Sequence, residues 1–265
     1  MLTRIISGAV AIVLFIAVVY FLPVECFVVM LAAISAVAAY ELTGRNGIVK
    51  NGALTASACI FAAATPFVVY YSFETMHIFA LLFGAMAISF AIWLFSYGKT
   101  NLVMVMTSFF AGVIVPLMLS VILRIRSVEN GEYLILFPFI AAWLTDTGAY
   151  FTGVFLGRHK LCEKISPKKT IEGSVGGIVA CVASLFVFSH IMNLSINPVL
   201  LAVGAVLLSA IAQIGDLSFS IIKREYNIKD YGNIMPGHGG VLDRFDSSVF
   251  TIPASYILLT IGGIL

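Results

Sequence analysis

The sequence has few charged residues and few cysteines for its length. Only 11% of its 265 residues are Asp, Glu, Lys or Arg, where soluble domains carry about 25%. Hydrophobic residues make up 61%, which excludes a soluble globular domain and indicates a chain embedded in a membrane. The net charge of +2 is too small to indicate a nucleic-acid partner. The four cysteines form no C-x-x-C pair, so neither a zinc nor a redox motif is present.

Nine apolar stretches are long enough to cross a bilayer, which takes about 20 residues per helix. They cover residues 5–22, 24–43, 52–72, 77–97, 101–123, 133–156, 174–192, 197–222 and 247–264. We therefore predict an all-α, polytopic integral membrane protein with about nine transmembrane helices. The first stretch is predicted to be retained because it is longer than the apolar core of a signal peptide.

The basic residues are distributed unequally between the two sides of such a membrane protein. With nine crossings, 13 of the 15 Lys and Arg residues fall on one side, and only Arg124 and Arg126 on the other. The positive-inside rule then predicts a cytoplasmic N-terminus and an outside C-terminus. It also places two polar loops, at about 157–173 and 223–246, on the cytoplasmic side.

The polar residues are concentrated in the second half of the sequence. Residues 1–132 contain almost only apolar helices, and we predict that they form a scaffold that could provide dimer contacts. Residues 133–265 contain the remaining helices and both polar loops. We therefore predict that the functional site lies in this second region, residues 133–265.

Asp146 lies inside the sixth predicted helix, where a carboxylate costs about 2.5–3.5 kcal/mol on insertion scales. It could pair with a buried cation, serve as a proton site in a transporter, or bind a cation in a cavity open to the cytoplasm. The helix interiors contain no Lys or Arg, which favours the cavity. Asp216, Ser220 and Lys223 follow i, i+4 and i+7 spacing, so they share one face of the eighth helix.

The loop after Lys223 combines cations, glycines and carboxylates. Gly237, Gly239 and Gly240 lie around His238 and allow backbone N–H groups to approach an anion. Asp243 and Asp246 can present two carboxylates on one face of the next helix. Such hard oxygen ligands suit Mg²⁺ that is shared with a phosphate substrate. The sequence therefore predicts a metal and polyphosphate site, in which His238 is a hydrogen-bond donor.

The loop at 157–173 contains Ser166-Pro167-Lys168-Lys169-Thr170 just before a predicted helix. Lysines beside a helix start offer an anion both side-chain charge and free N–H groups. The P-loop pattern is absent. Gly173 and Gly177, four residues apart, are more typical of close helix packing than of chemistry.

The stretch from Ser220 to Asp246 resembles the signature of the phosphatidate cytidylyltransferases, or CDP-diacylglycerol synthases. This stretch departs from the family signature at Met235, where Leu, Ile or Phe is usual. The segments Asp146–Tyr150 and Ser166–Thr170 are also similar to parts of that family. The resemblance is dense over about 143–246 and rests only on helix count and hydropathy over 1–132.

The resemblance implies transfer of a cytidylyl group from CTP to phosphatidic acid, which yields CDP-diacylglycerol and pyrophosphate. It implies Mg²⁺, with a monovalent cation such as K⁺ as a second candidate, and a homodimer among membrane lipids of the cell inner (plasma) membrane. Predicted metal ligands are Asp216, Asp243 and Asp246, with Lys223 as a fourth catalytic residue. The candidate substrate-binding residues are Lys168, Lys169, Ser220, Arg224, Lys229, His238, Gly239, Gly240, Arg244 and Asp146.

Two other functions remain as alternatives. A CTP-dependent lipid kinase, which would transfer only the γ-phosphate of CTP, is the closest enzymatic alternative, and an ion-coupled membrane transporter would account for Asp146 and Asp216. The glycine-rich loop and the absence of paired hydropathy repeats disfavour the transporter. If the enzyme prediction is right, all four aspartates should converge on one pocket with Lys168 or Lys169 at its rim.

Overall fold

The computed structural model describes residues 13–72, 74–234 and 239–265. Seven helical segments within these residues are long and apolar enough to cross a membrane. The helical membrane architecture is therefore confirmed. The segments are α1 (Val24–Tyr40, continued by a π-helical turn over Glu41–Arg45), α2 (Gly52–Tyr71), α3 (Thr75–Phe95), α4 (Leu102–Arg126), α5 (Leu136–Leu156, preceded by a helical turn at Gly131–Leu134), α6 (Ile171–Ile191) and α7 (Pro198–Glu225).

The seven segments correspond to the second through eighth predicted helices. Residues 13–21 are also helical, and the rest of the first predicted helix lies outside the described residues. The ninth prediction corresponds to α8 (Leu242–Phe245) and α9 (Ser248–Ile261). The 14 residues of α9 extend about 21 Å, shorter than a hydrocarbon core of about 30 Å. The total of nine crossings therefore stays a prediction.

The polar segment after α5 is a small β-hairpin, although the sequence predicted only a loop. Strand β1 (Lys160–Cys162) pairs antiparallel with β2 (Ser166–Thr170), with Lys160 opposite Thr170. Helix α6 begins directly after β2, at Ile171, three residues earlier than predicted. The early start is explained by Thr170, whose Oγ1 accepts a hydrogen bond from Gly173 N–H at 3.1 Å.

The chain divides into two compact units. The first unit contains the described residues up to Arg124 together with Ile228–Phe245. Leu54 and Val105 are fully buried in it. The second unit contains Ile125–Asn227 and Asp246–Leu265, and Phe137 and Leu185 are fully buried in its core. The loop after α7 therefore folds with the N-terminal helices, a long-range pairing that no local pattern in the sequence indicates.

Candidate active site

Strand β2 places the two adjacent candidate lysines, Lys168 and Lys169, on opposite faces. Because successive side chains of a strand point to opposite faces, Lys168 and Lys169 cannot share one environment. Lys168 is exposed, whereas Lys169 is half-buried and faces the helices of the second unit. The structure thus distinguishes two residues that the sequence left equivalent.

Lys169 lies among carboxylates from three different segments. Its ammonium forms an ion pair with Asp216 of α7. Asp146 of α5 and Asp246, just before α9, are within electrostatic reach of the same ammonium. Burial lowers the pKa of Lys169 below its ordinary value, and the charges of Asp146 and Asp246 oppose that shift. Three of the four predicted carboxylates therefore surround one lysine in the second unit.

Close helix contacts bring these carboxylates together. A Cβ on Gly215 would lie 3.2 Å from the backbone oxygen of Asp246, so α7 touches the chain at Asp246 directly beside Asp216. A Cβ on Gly177 would lie 2.8 Å from the backbone oxygen of Thr145, the residue before Asp146. The prediction that Gly177 serves close helix packing is confirmed. The same contact fixes the position of Asp146 along α5 relative to the first turns of α6.

Asp216 and Asp246 differ from Asp146 in exposure. Asp246 is buried, with 8% of its surface exposed, and its Oδ1 accepts a hydrogen bond from Ser247 N–H at 2.8 Å. Asp216 is half-buried, and Asp146 is exposed. Asp216 and Asp246 are therefore more shielded from solvent than Asp146, which lies at the open edge of the group.

The remaining predicted cations of the second unit lie on α7. Lys223 is 9% exposed, and its charge acts on Lys169. Ser220 is half-buried one turn away. The exposed Arg224 donates from Nε to the backbone oxygen of Ile165, at 3.1 Å, and so ties the hairpin to α7. Two lysines and three aspartates thus form a mixed-charge cluster that can bind a phosphate together with a cation.

Asp243 belongs to the first unit and has a distinct set of contacts. Its Oδ2 accepts hydrogen bonds from the backbone N–H groups of Tyr231, at 2.8 Å, and Gly240, at 3.0 Å. Gly240 N–H is therefore directed at a protein carboxylate. Gly239 has a φ of 85°, in the region that favours glycine. Lys229 and Arg244 are exposed, and His238 lies outside the described residues.

Sequence reasoning missed Glu41, which lies at the end of α1 and contacts the same loop. Its two carboxylate oxygens accept hydrogen bonds from Val241 and Leu242 N–H, at 3.1 and 2.9 Å. The only available signal was an acidic residue at the end of an apolar stretch. Its partners lie about 200 residues away in the sequence.

The aspartates of the second unit fit an Mg²⁺ ion that is shared between the protein and a phosphate substrate. Within the described ranges, no group of three or more His, Cys, Asp and Glu residues is arranged to hold a metal ion by itself. Mg²⁺ usually takes one or two protein carboxylates and completes its shell with water and substrate phosphates. Asp216 and Asp246 supply that number of hard oxygen ligands beside Lys169.

Comparison with known proteins identifies the family. The sequence profile of the Cytidylyltransferase family matches residues 2–262. Similar proteins include the phosphatidate cytidylyltransferases of Staphylococcus haemolyticus, with 46% identity over 131 residues, and Bacillus subtilis, with 44% over 140 residues. These alignments cover 49% and 52% of this chain and 50% and 52% of the relatives, so the chain spans about half the length of the curated relatives it matches. Because the family profile extends over nearly the whole sequence, the chain belongs to the Cytidylyltransferase family.

Proposed function

We propose that this chain transfers a cytidylyl group from CTP to phosphatidic acid in the membrane. The observation that carries the proposal is the position of Lys169 among Asp146, Asp216 and Asp246. A mixed cluster of this kind can neutralise a polyphosphate and retain a divalent cation. The similarity to proteins named phosphatidate cytidylyltransferase supports this choice of substrates.

The chemistry requires no side-chain nucleophile. An oxygen of the lipid phosphate monoester attacks the α-phosphorus of CTP, the bond from that phosphorus to the bridging oxygen of the β-phosphate breaks, and pyrophosphate leaves with the electron pair. Lys169 and Lys223 would neutralise charge that builds up on the phosphates, and Lys223 is desolvated enough for that interaction to be strong. Asp216 and Asp246 would hold Mg²⁺, which supplies Lewis-acid stabilisation when bound. Asp243 as a third ligand, and K⁺ as a further cation, stay predictions from the sequence and its resemblance.

The fate of the α-phosphate tests the proposed reaction. Purified full-length protein is incubated with Mg²⁺, vesicles that contain phosphatidic acid, and CTP labelled at either the α- or the γ-phosphate. We expect the α-label to enter the lipid and the γ-label to appear only in pyrophosphate. Transfer of the γ-label to lipid would identify a CTP-dependent lipid kinase, and no lipid-dependent turnover of CTP would contradict both enzyme functions.

We also propose that the protein spans the inner membrane nine times, with the N-terminus and the β-hairpin in the cytoplasm. The excess of Lys and Arg on one side supports this orientation, and the nucleotide is available there. In a cysteine-free background, Glu163→Cys in the hairpin should react with a membrane-impermeant thiol reagent from the cytoplasmic side. Glu129→Cys, after α4, should react from the opposite side. Reversed labelling would contradict the orientation.

The homodimer is proposed from the resemblance alone. Light scattering of the purified protein in detergent measures its mass against the 28.5 kDa of one chain. A monomer at all protein concentrations would contradict the dimer.

A further inference from the structure

Glu41 is completely buried, although it is a charged residue at the end of an apolar helix. A buried carboxylate is costly unless it is fully hydrogen-bonded. Here Oε1 accepts from Val241 N–H at 3.1 Å, and Oε2 accepts from Leu242 N–H at 2.9 Å. These two N–H groups lie at the start of α8, where a helix leaves such donors unpaired. Glu41 therefore caps α8 from a distant part of the chain.

The glycines of the loop make room for this carboxylate. A Cβ on Gly240 would lie 2.5 Å from Glu41 Oε2, and a Cβ on Gly232 would collide with Oε1. Of these two glycines, the sequence associated Gly240 with backbone N–H groups that approach an anion. In the first unit, the N–H groups of Val241 and Leu242, which follow Gly240, do approach an anion. That anion is the carboxylate of Glu41.

A second residue of the same segment secures the opposite side of the loop. Asn46 donates from Nδ2 to the backbone oxygen of Tyr231 at 2.8 Å and to the backbone oxygen of Glu41 at 3.3 Å. Tyr231 is fully buried, and its N–H binds Asp243. Asn46 thus binds the loop at Tyr231, and Glu41 binds it at Val241 and Leu242. Within the loop, Asp243 links the same two regions through its hydrogen bonds from Tyr231 and Gly240.

We infer that Glu41 is a positioning residue, which sets the conformation of the loop that carries Gly239, Asp243 and Arg244. The catalytic part of this inference rests on the proposed cytidylyltransferase function. Both carboxylate oxygens of Glu41 accept hydrogen bonds from backbone N–H groups, so Glu41 acts on the reaction through the loop. Its loss should lower turnover more than it changes the apparent affinity for CTP.

Glu41→Gln is the sharpest test because it keeps the size of the side chain and removes its charge. The amide NH₂ group would face a backbone N–H, so one hydrogen bond is lost and two donors are brought together. We expect kcat to fall about 10- to 100-fold, with KM for CTP changed less than about threefold. Amide hydrogen exchange at Val241 and Leu242 should accelerate, while Leu54, whose amide is bound by Asn51 in the same unit, should be unchanged.

Two further variants guard against general unfolding. Glu25→Gln changes an exposed carboxylate at the other end of the same helix and should leave both readouts unchanged. Asn46→Ala should accelerate exchange in the loop and lower kcat in the same direction, less than Glu41→Gln does. Wild-type exchange at Val241 and Leu242, or wild-type kcat, in the Glu41→Gln protein would overturn the inference. If the wild type itself makes no CDP-lipid, the proposed function fails, and the exchange data alone decide whether Glu41 holds the loop.

Discussion

Lys169→Met is expected to lower turnover by at least about 100-fold, whereas Lys168→Met should lower it less than about threefold. The two lysines are adjacent in β2, but only Lys169 is half-buried and paired with Asp216. Removing a preorganised charge that stabilises a phosphate in the transition state carries a penalty of this size. The measurement is kcat for CDP-lipid formation in detergent micelles or vesicles, with the melting temperature as a check on folding.

Lys168→Met is the matched control, because it removes the same charge from the opposite face of the same strand. Lys169→Arg should keep part of the activity, since it retains the charge with a different geometry. Equal effects at the two positions would mean that the lysines act only through the surface potential of the membrane.

The pH dependence of wild-type activity provides a second readout for Lys169. Burial lowers its pKa, so the ammonium loses its proton at a lower pH than an exposed lysine does. Activity should be present below that pKa and should decline as the pH rises through it. The alkaline decline should therefore begin below the usual lysine range and move in Lys169→Arg.

Asp216→Asn and Asp246→Asn are expected to lower turnover at least about 100-fold at saturating Mg²⁺. An amide keeps the shape of the side chain but removes the charge that retains a metal ion. Asp246→Asn should still fold, because the amide oxygen can accept the hydrogen bond from Ser247 N–H. Asp146→Asn is the comparison, with a smaller loss expected because Asp146 is exposed at the edge of the cluster.

Substantial activity of either variant would contradict its assignment as a metal ligand. Asp216→Asn also breaks the ion pair with Lys169, so its loss alone does not separate the two roles. The double variant with Lys169→Met separates them. Additive losses would indicate independent roles, whereas a double loss no larger than the single ones would indicate that the pair acts as a unit.

The apolar helices and the acidic residues near Lys169 were predictable from the sequence because both signals are local. Apolar stretches of spanning length identified α1 through α7, and the i, i+4, i+7 spacing placed Asp216, Ser220 and Lys223 on one helix. The distinction between Lys168 and Lys169 was not predictable, since it depends on the pleat of a hairpin and on how that hairpin lies against residues distant in the sequence. For example, the hydrogen bond from Arg224 of α7 to the backbone oxygen of Ile165 in the hairpin joins residues that are 59 positions apart.

Glu41 shows a different limit of sequence reasoning. Its position at the end of an apolar helix is typical of a residue at the membrane surface, and its hydrogen-bond partners are 200 and 201 residues away. The sequence associated Gly240, one of the two glycines that pack against Glu41, with an anion close to the backbone. Which anion the backbone approaches depends on tertiary packing, and so does the association of Ile228–Phe245 with the first unit.

The central claim is that a metal ion bound by Asp216 takes part in cytidylyl transfer, and a change of metal in Asp216→Cys tests it most directly. A thiolate binds soft divalent ions such as Cd²⁺ well and Mg²⁺ poorly. We predict that Asp216→Cys is inactive with Mg²⁺ and regains CDP-lipid formation when Cd²⁺ is added, whereas Cd²⁺ does not stimulate the wild type or Asp216→Asn. Activity of Asp216→Cys with Mg²⁺ alone, or the absence of recovery with Cd²⁺ in a folded protein, would contradict a metal ion bound at Asp216.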